Sequence, residues 1–111
     1  MKLRIEENVL RLRLSEAEVI EFARTGEVAC AIAFGADPNQ TLRYALLRLP
    51  ATDEVPAVQL RYAAGALTVE VPAALAHQWA DTGRVSLAAQ VVVAEGRTLR
   101  VLIEKDLGAS Q

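Results

Sequence analysis

The sequence predicts an α+β fold in which a unit of strand, strand, helix, strand and strand occurs twice. Three observations lead to this prediction. Residues 60–106 align with residues 3–49 at a shift of 57 positions without a gap, and twelve of the 47 aligned pairs are identical. Short stretches in each half alternate apolar and polar residues, as half-buried strands do. One stretch in each half has apolar residues at helical spacing and is followed by a glycine.

The first half covers residues 2–50 and begins with a predicted hairpin that turns at Glu6-Glu7-Asn8. A helix follows, because Ser15 and Glu18 have the spacing of a capping box and Gly26 is suited to the left-handed position at a helix end. A turn at 35–39 separates the two strands after the helix. The strands of this half are predicted at 2–5, 9–14, 28–34 and 41–49.

The second half covers residues 58–107 and repeats the same order of elements. Its helix is predicted at 73–82, where Pro72 opens the helix without losing a hydrogen bond and Gly83 closes it. Residues 50–56 form the linker between the halves, and residues 108–111 a loose tail. The strands of this half are predicted at 58–63, 66–71, 85–93 and 98–105.

The two halves are expected to pack together about a pseudo-two-fold axis as a single domain, residues 1–111, because about 50 residues bury too little surface to be stable alone. Hairpins favour antiparallel pairing. We therefore expect one antiparallel, eight-stranded curved sheet or partly closed barrel, with both helices covering apolar faces. Phe22 and Trp79 are expected to anchor the helices to the sheet, and Phe34 to lie in the core.

Composition narrows the class of protein. The chain is 52% hydrophobic and 23% charged, which is typical of a soluble globular protein, and its net charge of −2 offers no general attraction for nucleic acid or an anionic membrane. No apolar stretch approaches the roughly 18 residues that a membrane span needs. A single cysteine cannot form an internal disulfide, which favours a reducing, cytoplasmic compartment.

A group of arginines gives the strongest candidate binding surface. Alternation along the strands sends them to the face opposite the apolar side chains, and guanidinium groups bind phosphate or carboxylate through two parallel hydrogen bonds. The competing interpretation is a solvent-exposed surface of ion pairs with Glu6, Glu70 and Glu104. The candidate ligand-binding residues are Arg4, Arg11, Arg13, Arg43, Arg100, Glu104 and Lys105.

Other reactive side chains give weaker signals. His77 could serve as an acid or base oriented by Asp81 four residues later, although the same spacing is typical of an ordinary helix pair. Cys30 has no visible activating group and reads as a small apolar residue. One histidine and one cysteine make no zinc pattern, so we expect no metal and no cofactor.

Six segments follow one another in a recognisable order: 2–5, 8–14, 34–35, 44–46, 79–82 and 101–106. Together they resemble a family of small bacterial proteins of unknown function. The chain differs from the family pattern at Glu7, where members carry glycine before the Asn of the first turn. The resemblance spans nearly the whole chain and implies no catalytic residue, cofactor or substrate.

The sequence therefore favours a small cytoplasmic binding or accessory module without catalytic activity. Its expected partner is a protein or a small anionic ligand, bound on the Arg- and Glu-rich strand surface, with no nucleic acid and no membrane. Two alternatives stay open. One is a small enzyme with an arginine-lined anion pocket and His77 as acid or base, and the other is the subunit of a structural homodimer.

Overall fold

The computed structural model describes residues 1–51 and 57–106, which form eight strands, two α-helices and one short 3-10 helix. Most of the predicted linker and the whole predicted tail lie outside these ranges. The helices are α1 (Glu16–Thr25) and α2 (Ala73–Ala80), and Pro38–Gln40 is the 3-10 helix. The strands are β1 (Lys2–Glu6), β2 (Val9–Leu14), β3 (Glu27–Ala33), β4 (Thr41–Arg48), β5 (Gln59–Ala63), β6 (Ala66–Val71), β7 (Ser86–Ala94) and β8 (Arg97–Lys105).

The strands form two sheets, so the prediction of one eight-stranded curved sheet or barrel is wrong. The first sheet has the order β1-β2-β8-β7 and the second has the order β3-β4-β6-β5. Each helix carries the chain from one sheet to the other, so that each sheet receives one hairpin from each predicted half. The α+β class is confirmed, whereas the internal duplication, the pseudo-two-fold axis and the limits of the halves stay predictions.

Each sheet is mixed and not antiparallel throughout. The hairpins are antiparallel, but β2 pairs with β8 in parallel and β4 pairs with β6 in parallel. The pairing is parallel because the second strand of one hairpin lies beside the second strand of another, with both hairpin turns at the same end. This arrangement leaves β1, β7, β3 and β5 at the sheet edges.

One apolar core draws residues from both helices and both sheets. Phe22 of α1 and Trp79 of α2 are both buried, and their rings meet edge to face at 5.9 Å between centroids. Leu12 and Ile103 contribute from the first sheet, and Leu46 from the second. The predicted roles of Phe22 and Trp79 as helix anchors fit this packing, although the two rings contact each other as well.

The two helices end differently. Gly26 follows α1 with φ of 85°, and its N–H donates to Phe22 O at 2.8 Å, as predicted. In contrast, α2 ends at Ala80 with Asp81 as its C-cap, and Gly83 is not left-handed, so its predicted role is wrong. Five residues separate α2 from β7, whereas only one residue separates α1 from β3.

The longer connection after α2 shifts β7 by two residues relative to the sequence alignment. Val28 lies opposite Leu46, and Leu87 lies opposite Ile103. Leu46 and Ile103 are 57 residues apart, but Val28 and Leu87 are 59 apart. At a shift of 57 residues, β1, β2 and β4 correspond to β5, β6 and β8, and the starts of the two helices correspond, whereas β3 and β7 do not.

The ends of the sheets at the hairpin turns lie beyond the cover of the helices. A helix of eight to ten residues spans about 12–15 Å, and a nine-residue strand spans about 30 Å. Phe34 and Tyr62 are consequently exposed at this end of the second sheet, and Ile5 at the same end of the first. The expectation that Phe34 lies in the core is wrong for this reason.

Candidate functional site

The outer face of the first sheet carries a group of cations that we call the cationic face: Lys2, Arg4, Arg11, Arg13 and Arg100. The leucines that alternate with these residues in β2 are buried, which turns the arginines outward. Neutralising acids on this face are Glu6, Glu104 and Asp106, so the face has a formal charge of +2 on a chain whose total is −2.

The strand register brings like charges directly opposite each other on this face. Lys2 lies opposite Arg13, and Arg4 lies opposite Arg11. Like charges in directly opposite positions destabilise a sheet. Stability alone therefore does not account for the two pairs, which makes this face the best candidate for a binding surface.

Two adjoining shallow depressions lie within the cationic face. The larger has a volume of about 400 Å³ and the smaller about 150 Å³, and both contain Arg4 and Arg11 in their lining. The remaining lining residues are Lys2, Leu3 and Arg13 in the larger depression and Glu6 and Val9 in the smaller.

Acidic side chains neutralise part of this charge, as the competing interpretation predicts. Glu104 lies 3.0 Å from Arg11 Nε and 3.9 Å from Arg13 Nη2, through the same oxygen. Arg4 Nε lies 2.7 Å from Glu6. The Arg11–Glu104 contact is short but poorly aligned for a hydrogen bond, because neither atom has a partner of good geometry. One carboxylate oxygen shared by two guanidinium groups leaves hydrogen-bond donors of both for another anion.

Of the remaining predicted site residues, Arg100 lies on the cationic face, whereas Arg43 and Lys105 do not. Arg100 is exposed on the first sheet, in line with Val9 of β2, but Arg43 lies on the second sheet, opposite Ala31. Lys105 Nζ donates to Thr82 O at 2.7 Å beyond the end of α2 and lies 5.5 Å from the centre of the Trp79 ring.

Lys105 has a counterpart in Arg48, which lies 57 residues earlier. Arg48 Nη1 donates to Ala23 O at 3.0 Å in the last turn of α1. A cation at the last carbonyls of a helix satisfies unpaired acceptors and opposes the helix dipole. Lys105 therefore has a structural role that matches that of Arg48, and it is not on the cationic face.

His77 lies on the exposed side of α2. Its Nδ1 is 2.9 Å from Asp81 Oδ2, and both side chains are more than half exposed. The orienting contact that the sequence suggested is present, but an exposed pair at this spacing is explained by helix geometry alone. The cationic face lies on the first sheet and does not include this pair.

A half-buried polar cluster surrounds the N-terminus. The Met1 amine contacts Glu18 and lies 3.7 Å from Cys30 Sγ, and Tyr44 OH donates to Met1 O at 2.9 Å. Burial raises the pKa of the Glu18 carboxyl, but hydrogen bonds from the Met1 amine and Ser15 N–H outweigh it and lower that pKa. Burial acts against the charged amine too, yet contacts with Glu18 and Cys30 raise its pKa.

Cys30 contacts polar groups of this N-terminal cluster, whereas the sequence predicted only a small apolar residue at this position. Burial is the main cause that raises the pKa of the Tyr44 hydroxyl, and the neighbouring Cys30 thiol raises it further. These groups hold the start of β1 against β3 and β4. We assign the cluster a structural role.

Sequence reasoning missed Lys2, which lines the larger depression and lies 3.6 Å from Asp106. The signal was present, since Lys2 alternates in phase with Arg4 along β1.

In residues 1–51 and 57–106, no group of three His, Cys, Asp or Glu side chains could hold a metal ion. Neither of the helices described there is long and apolar enough to cross a membrane.

Comparison with known proteins places the chain in a family. Residues 1–109 match the family model described as "Family of unknown function (DUF7009)". No curated protein and no solved structure matches the chain. The resemblance to a family of unknown function is thereby confirmed, and the bacterial origin stays a prediction.

Proposed function

The chain belongs to DUF7009, a family of unknown function, and we propose that it is a non-catalytic binding module whose cationic face holds a ligand with several carboxylate or phosphate groups. The observation that carries this proposal is the register that sets Lys2 opposite Arg13 and Arg4 opposite Arg11. A bound polyanion lying across β1 and β2 would relieve the repulsion in both pairs.

The geometry favours an extended or multivalent anion over a single small ion. The two opposed pairs of cations occupy two neighbouring rows of the sheet, and the depressions between them are shallow and open. Rows on one face lie about 7 Å apart along a strand. Successive charged groups of an acidic peptide or a polyphosphate can reach both rows.

Binding of two probes to the purified chain tests the proposal. Inorganic tripolyphosphate and a short polyglutamate peptide distinguish phosphate from carboxylate ligands, and titration calorimetry at low salt measures the affinity of each. We expect saturable binding of one probe, and weakening as salt rises toward 0.5 M, where the screening length falls to about 4 Å.

Matched variants locate the site. Arg4→Gln and Arg11→Gln should each weaken binding by about tenfold, as expected for loss of a charge-assisted hydrogen bond. Arg43→Gln is the control, because Arg43 is exposed on the outer face of the other sheet. Equal weakening by all three variants would show attraction without a site, and absence of binding at low salt would refute the proposal.

A further inference from the structure

A second surface lies at the turn end of the second sheet and has a different chemistry. The chain has five aromatic residues, of which Phe22 and Trp79 are buried and Tyr44 is half-buried. The other two, Phe34 and Tyr62, are 71% and 68% exposed. Both line the same depression, which has a volume of about 370 Å³ and which we call the aromatic depression. Large exposed aromatic side chains gathered at one place mark an interaction surface.

The loop that carries Phe34 is held in one shape. Phe34 N–H donates to Gln40 O at 2.7 Å, and Asp37 N–H donates to the Gln40 side-chain carbonyl at 3.1 Å. Pro38 stiffens the short 3-10 helix between them. A Cβ atom at Gly35 would collide with the Gln40 side-chain amide, so glycine at this position lets that amide pack closely against the loop. A preordered surface loses less entropy when it binds.

The aromatic depression offers amide hydrogen-bond donors that no other group in the described residues uses. Gln40 uses its backbone and side-chain oxygens as acceptors within the loop, and Gly65 O accepts from Arg43 N–H at 2.8 Å. Within the described part of the chain, Gln40 Nε2 and the Asn39 amide have no hydrogen-bond partner, and no charged residue lines the depression. The surface therefore suits an uncharged ligand that is rich in acceptors.

The size of the aromatic depression argues against a second copy of the chain as its occupant. Two aromatic side chains exposed to this degree present on the order of 300 Å² of surface. A stable dimer buries about 800 Å² on each partner. The patch is large enough for a few residues of an extended peptide.

We propose that the aromatic depression binds a proline-rich peptide segment in the polyproline II conformation. Such a segment packs its rings on aromatic side chains, and it offers many backbone carbonyls that no internal hydrogen bond occupies. Prolines lack an N–H, so the segment brings few donors of its own and many acceptors for the free amide donors of Asn39 and Gln40. Tyr62 and Phe34 supply the ring contacts, and Asn39 and Gln40 supply the donors.

The corresponding end of the first sheet provides a contrast within the molecule. Its depression of about 440 Å³ is lined by Glu7 and Arg97 together with Val93 and Leu99, and has no aromatic side chain. Charged groups on both sides make it a poor match for an uncharged, ring-bearing peptide. We therefore expect binding at one sheet end alone.

The test uses an uncharged, end-capped decapeptide of prolyl and alanyl residues, titrated into the isotope-labelled chain and followed by amide NMR shifts. A peptide of the same length with each proline replaced by glycine is the ligand control. We expect saturable shifts at Phe34, Gln40 and Gly65 with the proline peptide. Shifts that are no stronger than those with the glycine peptide, or none up to millimolar concentration, would overturn the proposal.

Variants place the site and check its chemistry. Phe34→Ala and Tyr62→Ala should each weaken binding about tenfold or more, as loss of an aromatic anchor does. Val92→Ala, which removes a side chain that is 74% exposed on the first sheet, should leave affinity unchanged. Amide spectra confirm that each variant is folded. Binding of a neutral oligosaccharide in place of the peptide would assign the surface to another ligand class and reject the proposal.

Discussion

At corresponding positions of the two sheets, the outer face of the first carries Arg11 and Arg13 where the second carries Thr68 and Glu70. Lys2 in the first sheet corresponds to Gln59 in the second. The strand order and the parallel central pair are the same in both. Because the strand order is shared and the outward side chains differ, the fold requires the strand order but not any particular set of outward side chains.

The comparison shows that the fold does not need the cations. The second sheet forms the same ladder with Arg61 paired to Glu70, with Thr68 opposite Arg61, and with alanines at three outward positions of β3. The same separation holds at the turn ends, where the second sheet has the aromatic side chains and the first does not. Each sheet has its own unexplained surface chemistry, which is why we assign one proposed site to each.

The largest expected effect tests what the two sheets share. Phe22→Ala and Trp79→Ala should each reduce the free energy of unfolding by about 3–5 kcal/mol, because each opens a large cavity between the helices and the sheets. Urea unfolding followed by circular dichroism should show one transition for both variants. Two separate transitions would mean that the sheets unfold independently and that the core is not shared.

The second prediction compares two arginines at matching positions. Arg61 lies 3.2 Å from Glu70, which is only 6% exposed, whereas Arg4 pairs with the exposed Glu6. Arg61→Ala should reduce the free energy of unfolding by about 1–2 kcal/mol, because it leaves a buried carboxylate without its partner. The exposure of Arg61 itself keeps this loss moderate. Arg4→Ala should cost less than about 0.5 kcal/mol. Equal losses in chemical denaturation would remove the distinction between the sheets.

Local structure could be predicted from the sequence because its signals are local. The capping box of Ser15 and Glu18 is present, with Glu18 N–H donating to Ser15 Oγ at 3.2 Å, and the alternation in β2 places its leucines in the core. Strand pairing could not be predicted, because β2 pairs with β8 about 90 residues later and nothing in either strand specifies a parallel neighbour.

The candidate site could be predicted in part for the same reason. Alternation correctly predicted that Arg11 and Arg43 face outward. Whether two outward residues share a surface depends on which sheet each strand joins, and Arg11 and Arg43 lie on different sheets. The exposure of Phe34 depends on where the helices stop covering the sheet, which is a tertiary property. The two-residue shift of β7 arose from a connection whose length the gapless alignment concealed.

The third prediction concerns a contact that only the first half has, between Glu18 and the Met1 amine. Leu75 occupies the corresponding position in α2. Because the pKa of Glu18 is lowered on folding, its charge stabilises the fold at neutral pH, and this contribution is lost as pH falls from about 4.3 through the lowered value.

Glu18→Gln keeps a side chain that can complete the capping box but removes the charge. We expect a loss of about 1 kcal/mol at pH 7 and a flatter dependence of unfolding free energy below about pH 5. Glu16→Gln, an exposed acid in the same first turn, is the control. Parallel pH profiles for Glu18→Gln and the wild type would exclude this role.

The fourth prediction treats the sheets as equals. The hairpin turns at Glu7 and Ala64 both have φ of 51°, a left-handed conformation that disfavours any residue with a Cβ atom. Glu7→Gly and Ala64→Gly should each stabilise the fold by about 0.5–1 kcal/mol, somewhat reduced by the greater freedom of glycine in the unfolded chain. Thermal unfolding measures both. A gain in one turn with a loss in the other would show that matching backbone angles conceal different surroundings.

The smallest expected effect measures directly what the first sheet tolerates. Thr68→Arg places a cation directly opposite Arg61, as Arg11 lies opposite Arg4. The added repulsion should cost about 0.5 kcal/mol at low salt and less at 0.5 M salt, where exposed charges are screened. Thr68→Gln, similar in length and uncharged, separates repulsion from packing. A cost that is equal for both variants, or independent of salt, would mean that opposed arginines carry no penalty in this fold. The register of the cationic face would then need no ligand to explain it.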